Sequence, residues 1–195
     1  DRSSAASDVY KRQSGTGGAG DTITLYATNG TMVLGTTTVA ADGTWSITPN
    51  ADLADGANTL SVKASDPAGH VTPAVSKTVT VDTNAPTQSV SAVGDAIKTE
   101  LEAISAGGVV LVSGENGSIS IVTLTGLKGS ATKTIVNDGT LQPVVLTAAD
   151  VAALGNGLVG VVTVTTDAAG NTTTSTVGSF TLDTSPAVVV VTPVG

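Results

Sequence analysis

Three short landmarks recur in this chain at one fixed spacing, and that spacing limits what the chain can fold into. Asp66-Pro67-Ala68-Gly69-His70 returns as Asp167-Ala168-Ala169-Gly170-Asn171, and Leu53-Ala54-Asp55-Gly56 returns as Leu154-Gly155-Asn156-Gly157. The third, Asp82-Thr83-Asn84-Ala85-Pro86, opens the same way as Asp183-Thr184-Ser185-Pro186, and all three pairs are displaced by 101 positions. A gapless register across three landmarks predicts tandem copies of one domain. A length of 195 residues allows two such copies, each large enough for a modest core.

The class of that domain follows from what fills the space between landmarks. The chain has 33 Thr and 28 Val, while aromatic residues make up only 2 %. β-Branched residues fit a pleated, half-buried surface and are poor in helices, so the expectation is all-β. Val79 to Val81 and Phe180 to Leu182 read as strand ends, each stopped by Asp, Thr and Pro. In the first copy, strands are predicted over Asp21 to Tyr26, Met32 to Val39, Thr44 to Ile47, Asn58 to Ser65 and Val75 to Val81. In the second they are predicted over 109–113, 118–125, 131–136, 144–147, 158–166 and 177–182. Apolar Ile97, Leu101 and Ile104 are spaced for about two helical turns, with Asp95 as N-cap, so one short helical segment is predicted near 95–104. Ala148 to Leu154 is predicted to add another helical turn. Seven or so short strands per repeat, with turns between, argue for immunoglobulin-like β-sandwiches.

Several functional classes are disfavoured at this level. The formal charge of −8 argues against nucleic acid, which needs clustered Lys and Arg. No apolar run is long enough to span a membrane as a helix, and with no Cys there is neither disulfide nor thiol nucleophile. Gly15, Gly17 and Gly20 spell a formal dinucleotide motif, yet they precede a strand rather than opening a helix, so they read as a turn. His70 is the single His, and no positioned nucleophile, base and oxyanion site can be marked out, so no enzyme is expected. Trp45, the single Trp, reads as a core or near-core anchor. The sequons at Asn29, Asn116 and Asn171 read as turns.

Two stretches resemble known sequences. Ser3 to Gln13 resembles, residue for residue, one reading frame of a transposase adapter used in sequencing libraries. Residues 1–13 are therefore expected to be a disordered scar, leaving domain 1 over 14–86 with a truncated first strand. Domain 2 is expected over 87–186, with 187–195 beginning a further repeat. Gly20-Asp21-Thr22-Ile23, Asp42-Gly43-Thr44-Trp45 and the three landmarks resemble the bacterial Ig-like repeats of giant surface adhesins. That resemblance implies a stalk segment on the bacterial cell surface, serving adhesion or biofilm formation, with neighbouring repeats of the same chain as its partners. Two alternatives remain: a glycan- or protein-binding module, and a spacer in a secreted multidomain hydrolase.

The Asp-rich loops carry the candidate chemistry. In a sandwich the last strand runs from one end of the domain to the other, so the loop before it faces the preceding domain. Asp167 is therefore expected to meet Asp82 across the junction, joined by Asn84, Asn171 and Glu100. Asp66 and Asp183 are expected to be half-sites toward further neighbours. Carboxylate and amide oxygens are hard donors suited to Ca²⁺, with six to eight oxygens at roughly 2.3–2.6 Å. The alternative is that Asp and Asn only shape turns. The family resemblance, in which calcium commonly stiffens domain junctions, favours the metal.

Overall fold

A computed structural model describes residues 12–186 and Val189. Residues 1–11, and all of 187–195 except Val189, lie outside the described residues, and with them most of the expected scar and of the expected further repeat. The chain divides into two units, one ending at Thr83 and one beginning at Asn84.

Unit 1 contains β1 (Gln13–Thr16), β2 (Thr22–Tyr26), β3 (Val33–Thr38), β4 (Thr44–Ile47), β5 (Gly56–Ser65) and β6 (Val75–Val81). Its strands form two sheets, β1-β4 and β3-β2-β5-β6. Gln13, placed in the scar by the sequence, is the first residue of β1 and pairs with Ile47. Arg12 donates to the Ser46 hydroxyl at 2.8 Å. Alternation puts Ile23 and Leu25 of β2 on one face, where they are buried with Leu34, Val39, Ile47 and Leu60. Trp45 packs against this core, half-buried, and donates its indole N–H to the Thr16 carbonyl at 3.3 Å. Gly15 makes room for it, since a Cβ there would lie 2.7 Å from Trp45 Cζ2.

Unit 2 contains β7 (Gln88–Ala92), β8 (Ile97–Thr99), α1 (Glu100–Ala103), β9 (Val110–Gly114), β10 (Ile119–Thr125), β11 (Ser130–Val136), β12 (Gln142–Val144), α2 (Ala148–Leu154), β13 (Gly157–Thr166) and β14 (Thr172–Asp183). The sheet orders are β12-β9-β7 and β11-β10-β13-β14-β8. Substituting β9 to β14 for β1 to β6, in order, reproduces both sheets of unit 1. What unit 2 adds is β7 on the outer edge of β9 and β8, parallel, on the outer edge of β14. Among the described residues its core is larger, with fifteen buried apolar residues that include Phe180 and Leu182.

The 95–104 segment differs from its expectation. The helix there is four residues long, and its N-cap is Thr99, whose hydroxyl accepts from the Glu102 amide while Glu102 accepts from the Thr99 amide. Asp95 instead lies 3.5 Å from the ammonium of Lys98, which is only 4 % exposed. Ile97 and Leu101, the intended apolar face, are 56 % and 78 % exposed. Backbone pairing of Ile97, Lys98 and Thr99 with Thr181, Leu182 and Asp183 sets this segment as a strand and turns Lys98 inward. The second expected helix is present as α2, capped by Thr147 with Asp150 closing the reciprocal bond.

Candidate functional site

The two Asp loops are built alike. In unit 1 the loop joins β5 to β6. The Asp66 Oδ1 atom accepts from the amides of Ala68 and His70, both at 2.9 Å, and Oδ2 lies 2.8 Å from His70 Nδ1. The Asp66 amide donates back to the His70 carbonyl at 3.1 Å. In unit 2 the loop joins β13 to β14, and Asp167 Oδ1 accepts from the Asn171 amide at 2.8 Å. Asp167 Oδ2 accepts from the Asn171 side-chain amide, also at 2.8 Å, while the Asp167 amide donates to the Asn171 carbonyl at 3.0 Å. His70 and Asn171 thus do the same work. The hydrogen bond from the His70 ring, followed by that from its amide, holds the Asp66 carboxyl below the usual carboxylate range. Asp21, which the sequence offered only as a strand start and part of a family motif, lines the same shallow depression as Asp66 and His70.

A second feature also recurs, at the opposite end of each hairpin. Asp55 Oδ1 accepts from the Thr83 amide at 3.0 Å and from its hydroxyl at 2.8 Å. In unit 2, Asn156 Oδ1 accepts from the Thr184 amide at 2.9 Å, and its Nδ2 donates to the Ser185 hydroxyl at 3.0 Å. Each tie joins the turn before the long strand to a residue within two positions beyond the last strand. Both residues sit in a repeated landmark; what the sequence did not reveal was their partner across the hairpin.

Where the chain enters unit 2, the Thr173 hydroxyl donates to the Pro86 carbonyl at 2.5 Å. Thr173 is the second residue of β14, beside the Asp167 loop. Of the remaining expected ligands, Asp82 and Asn84 are exposed, Glu100 is the exposed first residue of α1, and Asp183 accepts from the Ser185 amide at 3.0 Å. Asp82 and Asp66 sit beyond opposite ends of β6, while in unit 2 Asp183 is the last residue of β14 and Asp167 lies before its first. Among the described residues, no three His, Cys, Asp or Glu side chains gather closely enough to hold a metal.

Unit 2 also holds a buried polar seam. Gln88 Nε2 donates to Thr165 Oγ1 at 2.6 Å, the Thr165 and Ser120 hydroxyls share a bond of 2.6 Å, and Asn137 Nδ2 donates to Ser120 Oγ at 2.8 Å. An apolar cavity of about 160 Å³ lies among Val109, Val110, Val161 and Phe180. That is below the roughly 300 Å³ at which small-molecule sites begin.

Residues 11–83 match the family model of the bacterial Ig-like domain. Unit 1 is a bacterial Ig-like domain. Because unit 2 repeats its strand order with two strands added, the chain is a tandem of Ig-like β-sandwiches. Among solved structures, it is 31 % identical to a Ca²⁺-stabilized adhesin that helps an Antarctic bacterium reach out and bind ice, over 91 % of this chain and 46 % of that one, with a TM-score of 0.46. It is 30 % identical to a 1.5-MDa bacterial ice-binding adhesin, over 92 % of this chain and 60 % of that one, with a TM-score of 0.44. A tetra-tandem repeat from the extending region of a large adhesion protein is 25 % identical, over 88 % and 45 % of the two chains, with a TM-score of 0.37. The chain spans less than two thirds of each of these structures. A search of curated proteins found no match.

Proposed function

We propose that this Ig-like tandem is a stalk segment of a large bacterial surface adhesin, a spacer that carries load rather than a binding head or an enzyme. One observation carries the reading: the exit tie. The same position, Asp55 in one unit and Asn156 in the next, fastens the departing chain by the same backbone amide, Thr83 or Thr184. A domain whose role is to bind a ligand has no need to fix how its C-terminus leaves; a link in a chain does. The apolar cavity of unit 2 is too small for a glycan, which favours the spacer over a binding module there.

Within this reading, calcium at the junction is the stiffening element. The donors would be Asp82, Asn84, Asp167 and Asn171, with Glu100 at the margin, while Asp66 and Asp183 would offer half-sites to further repeats. Carboxylate and amide oxygens suit the ion. Asp167 Oδ1 and Oδ2 each accept a hydrogen bond from Asn171, and an ionised carboxylate has about four lone-pair sites, so capacity remains for a cation. The Thr173–Pro86 bond supports the arrangement, because it brings the incoming chain to the Asp167 end of unit 2. An ion bound only by the folded, docked chain stabilises it by mass action, by about 2.7 kcal/mol at a hundredfold excess over Kd.

Thermal unfolding of the chain in millimolar Ca²⁺ and then in chelator tests this. We expect calcium to raise the melting temperature, and Asp82→Ala or Asp167→Ala alone to abolish the rise. Superimposable curves with and without calcium would reduce the Asp loops to turns and the segment to a flexible spacer.

A further inference from the structure

The outward faces of the two larger sheets differ in a way the shared fold does not require. In unit 2, β10, β11 and β13 turn Ile119, Ile121, Val136, Val162 and Val164 away from the core. Ile119 stands opposite Val136, and Ile121 opposite Val164, so the five are contiguous. Ile119 and Ile121 are each 45 % exposed and Val136 is 65 % exposed. Scattered exposed apolar residues are ordinary, whereas a cluster marks a contact surface. In unit 1 the same positions are polar. Val162 and Val164 fall on Ser61 and Lys63 at the displacement of 101. Ile119 and Ile121 pair with Thr166 and Val164, as Thr22 and Thr24 pair with Ser65 and Lys63. Thr38 stands in the place of Val136.

The patch lies in a wider face that carries no charge. Before Asp183, Lys133 is the single charged residue in β10, β11, β13 and β14. Lys133 stands opposite the buried Val122, on the inner side of the sheet, where it pairs with Asp150. The acidic residues of unit 2 lie instead in its loops, in its two helices and at the end of β14.

We propose that a second copy of the chain docks on this face, sheet against sheet, in a two-fold pair centred on Ile121 and Val164. Copies that each carry a formal charge of −8 repel one another, so they meet closely only where neither presents charge. A partner with a charged surface would have its ions stripped of water against Ile and Val with no counter-charge. A flat, uncharged face is complementary to itself about a two-fold axis. Size sets the strength. Four strands about 4.8 Å apart, seven residues long at about 3.3 Å each, present roughly 450 Å². A pair then buries about 900 Å², close to the roughly 1,000 Å² at which specific contacts begin, so the pairing is weak and reversible. It does not rest on the stalk reading, because unit 2 pairs in this way with or without calcium.

Sedimentation equilibrium of the full chain tests this. We expect a monomer–dimer equilibrium with a Kd on the order of 100 µM, as suits a contact at the small end of the size range. Raising the salt from about 50 to 500 mM should tighten it several-fold, since screening removes the repulsion between acidic copies and leaves the apolar contact in place. Val164→Lys installs the residue that unit 1 carries as Lys63, so the fold should tolerate it. It should weaken the pair by at least about tenfold, because each copy then buries an unpaired ammonium, while the melting curve stays unchanged. Thr22→Lys, on the matching face of unit 1, should leave the pairing as it was. Should Val164→Lys fail to fold, Ile121→Thr, which copies Thr24, gives the same reading in a milder form. A chain that stays monomeric at millimolar concentration in both salts overturns the proposal. So does a pair that the face variants leave intact or that salt disperses, and so does association that runs on past a dimer.

Discussion

Gly15 and Trp45 show how closely single residues constrain this fold. The one indole in the chain lies across β1, and the close approach is possible only because position 15 has no side chain. A methyl group there would meet the ring at 2.7 Å, and moving the ring would break its bond to the Thr16 carbonyl. Gly15→Ala is therefore expected to cost about 1–3 kcal/mol, the usual range for overpacking, read as a lower denaturant midpoint with an unchanged slope. The Asp loops offer a second comparison, because the repeat has already carried out the substitution. His70 and Asn171 bind their aspartates through the same two atoms of the loop, at the same distances to within 0.1 Å. His70→Asn should leave stability within about 0.5 kcal/mol of the parent, the range for tolerated surface changes. Asn171→Ala, which removes the side-chain bond to Asp167, should cost about 0.5–1.5 kcal/mol. Paired urea titrations of the two variants check this, and a large loss in His70→Asn would mean the two loops are not equivalent.

At the level of elements, α2 depends on its cap. Thr147 accepts from the Asp150 amide, Asp150 answers by accepting from the Thr147 amide, and the same carboxylate pairs with Lys133. Thr147→Ala should cost about 1 kcal/mol and Thr147→Ser little, as judged by calorimetry. Elements of this local kind were legible in advance: β4 and β6 begin and end where the sequence places them, and α2 spans the expected Ala148 to Leu154. Within residues 95–104 the short helix at 100–103 was legible, but 97–99 were not, because the apolar spacing mimics a longer helix while a long-range parallel pairing with β14 makes them a strand. No local pattern encodes a partner some eighty residues away. The Thr-rich strands hide a second kind of information, since Thr suits either face of a sheet. Thr163 and Thr165 are fully buried while Thr172 and Thr174 are exposed, and no alternation separates them. In the candidate site, the Asp loops could be read because both partners lie within five residues. The exit tie could not, because Thr83 is separated from Asp55 by a whole hairpin.

Taken over the whole molecule, the two units share a plan but not a stability. Among the described residues, unit 1 buries six apolar residues in its core and leaves Trp45 half-buried, whereas unit 2 buries fifteen and closes both sheets with β7 and β8. At roughly 25 cal/mol per Å² of apolar surface, a deficit of even a few aliphatic side chains amounts to several kcal/mol. For domains of this size, each kcal/mol moves the midpoint by about 4–8 °C. The chain should therefore melt in two steps, with unit 1 first. Trp45 makes the assignment direct, because it is the single Trp and lies in unit 1. Its fluorescence should follow only the lower transition, while far-ultraviolet circular dichroism, which reports strands of both units, follows both. Calcium held between the units would narrow the gap from below, because an ion that requires both folded partners makes the loss of unit 1 cost the bound state as well. Coincident curves from the two probes, in chelator as in calcium, would instead mean that the tandem unfolds as one cooperative body and that the weaker core of unit 1 is fully supported by its neighbour.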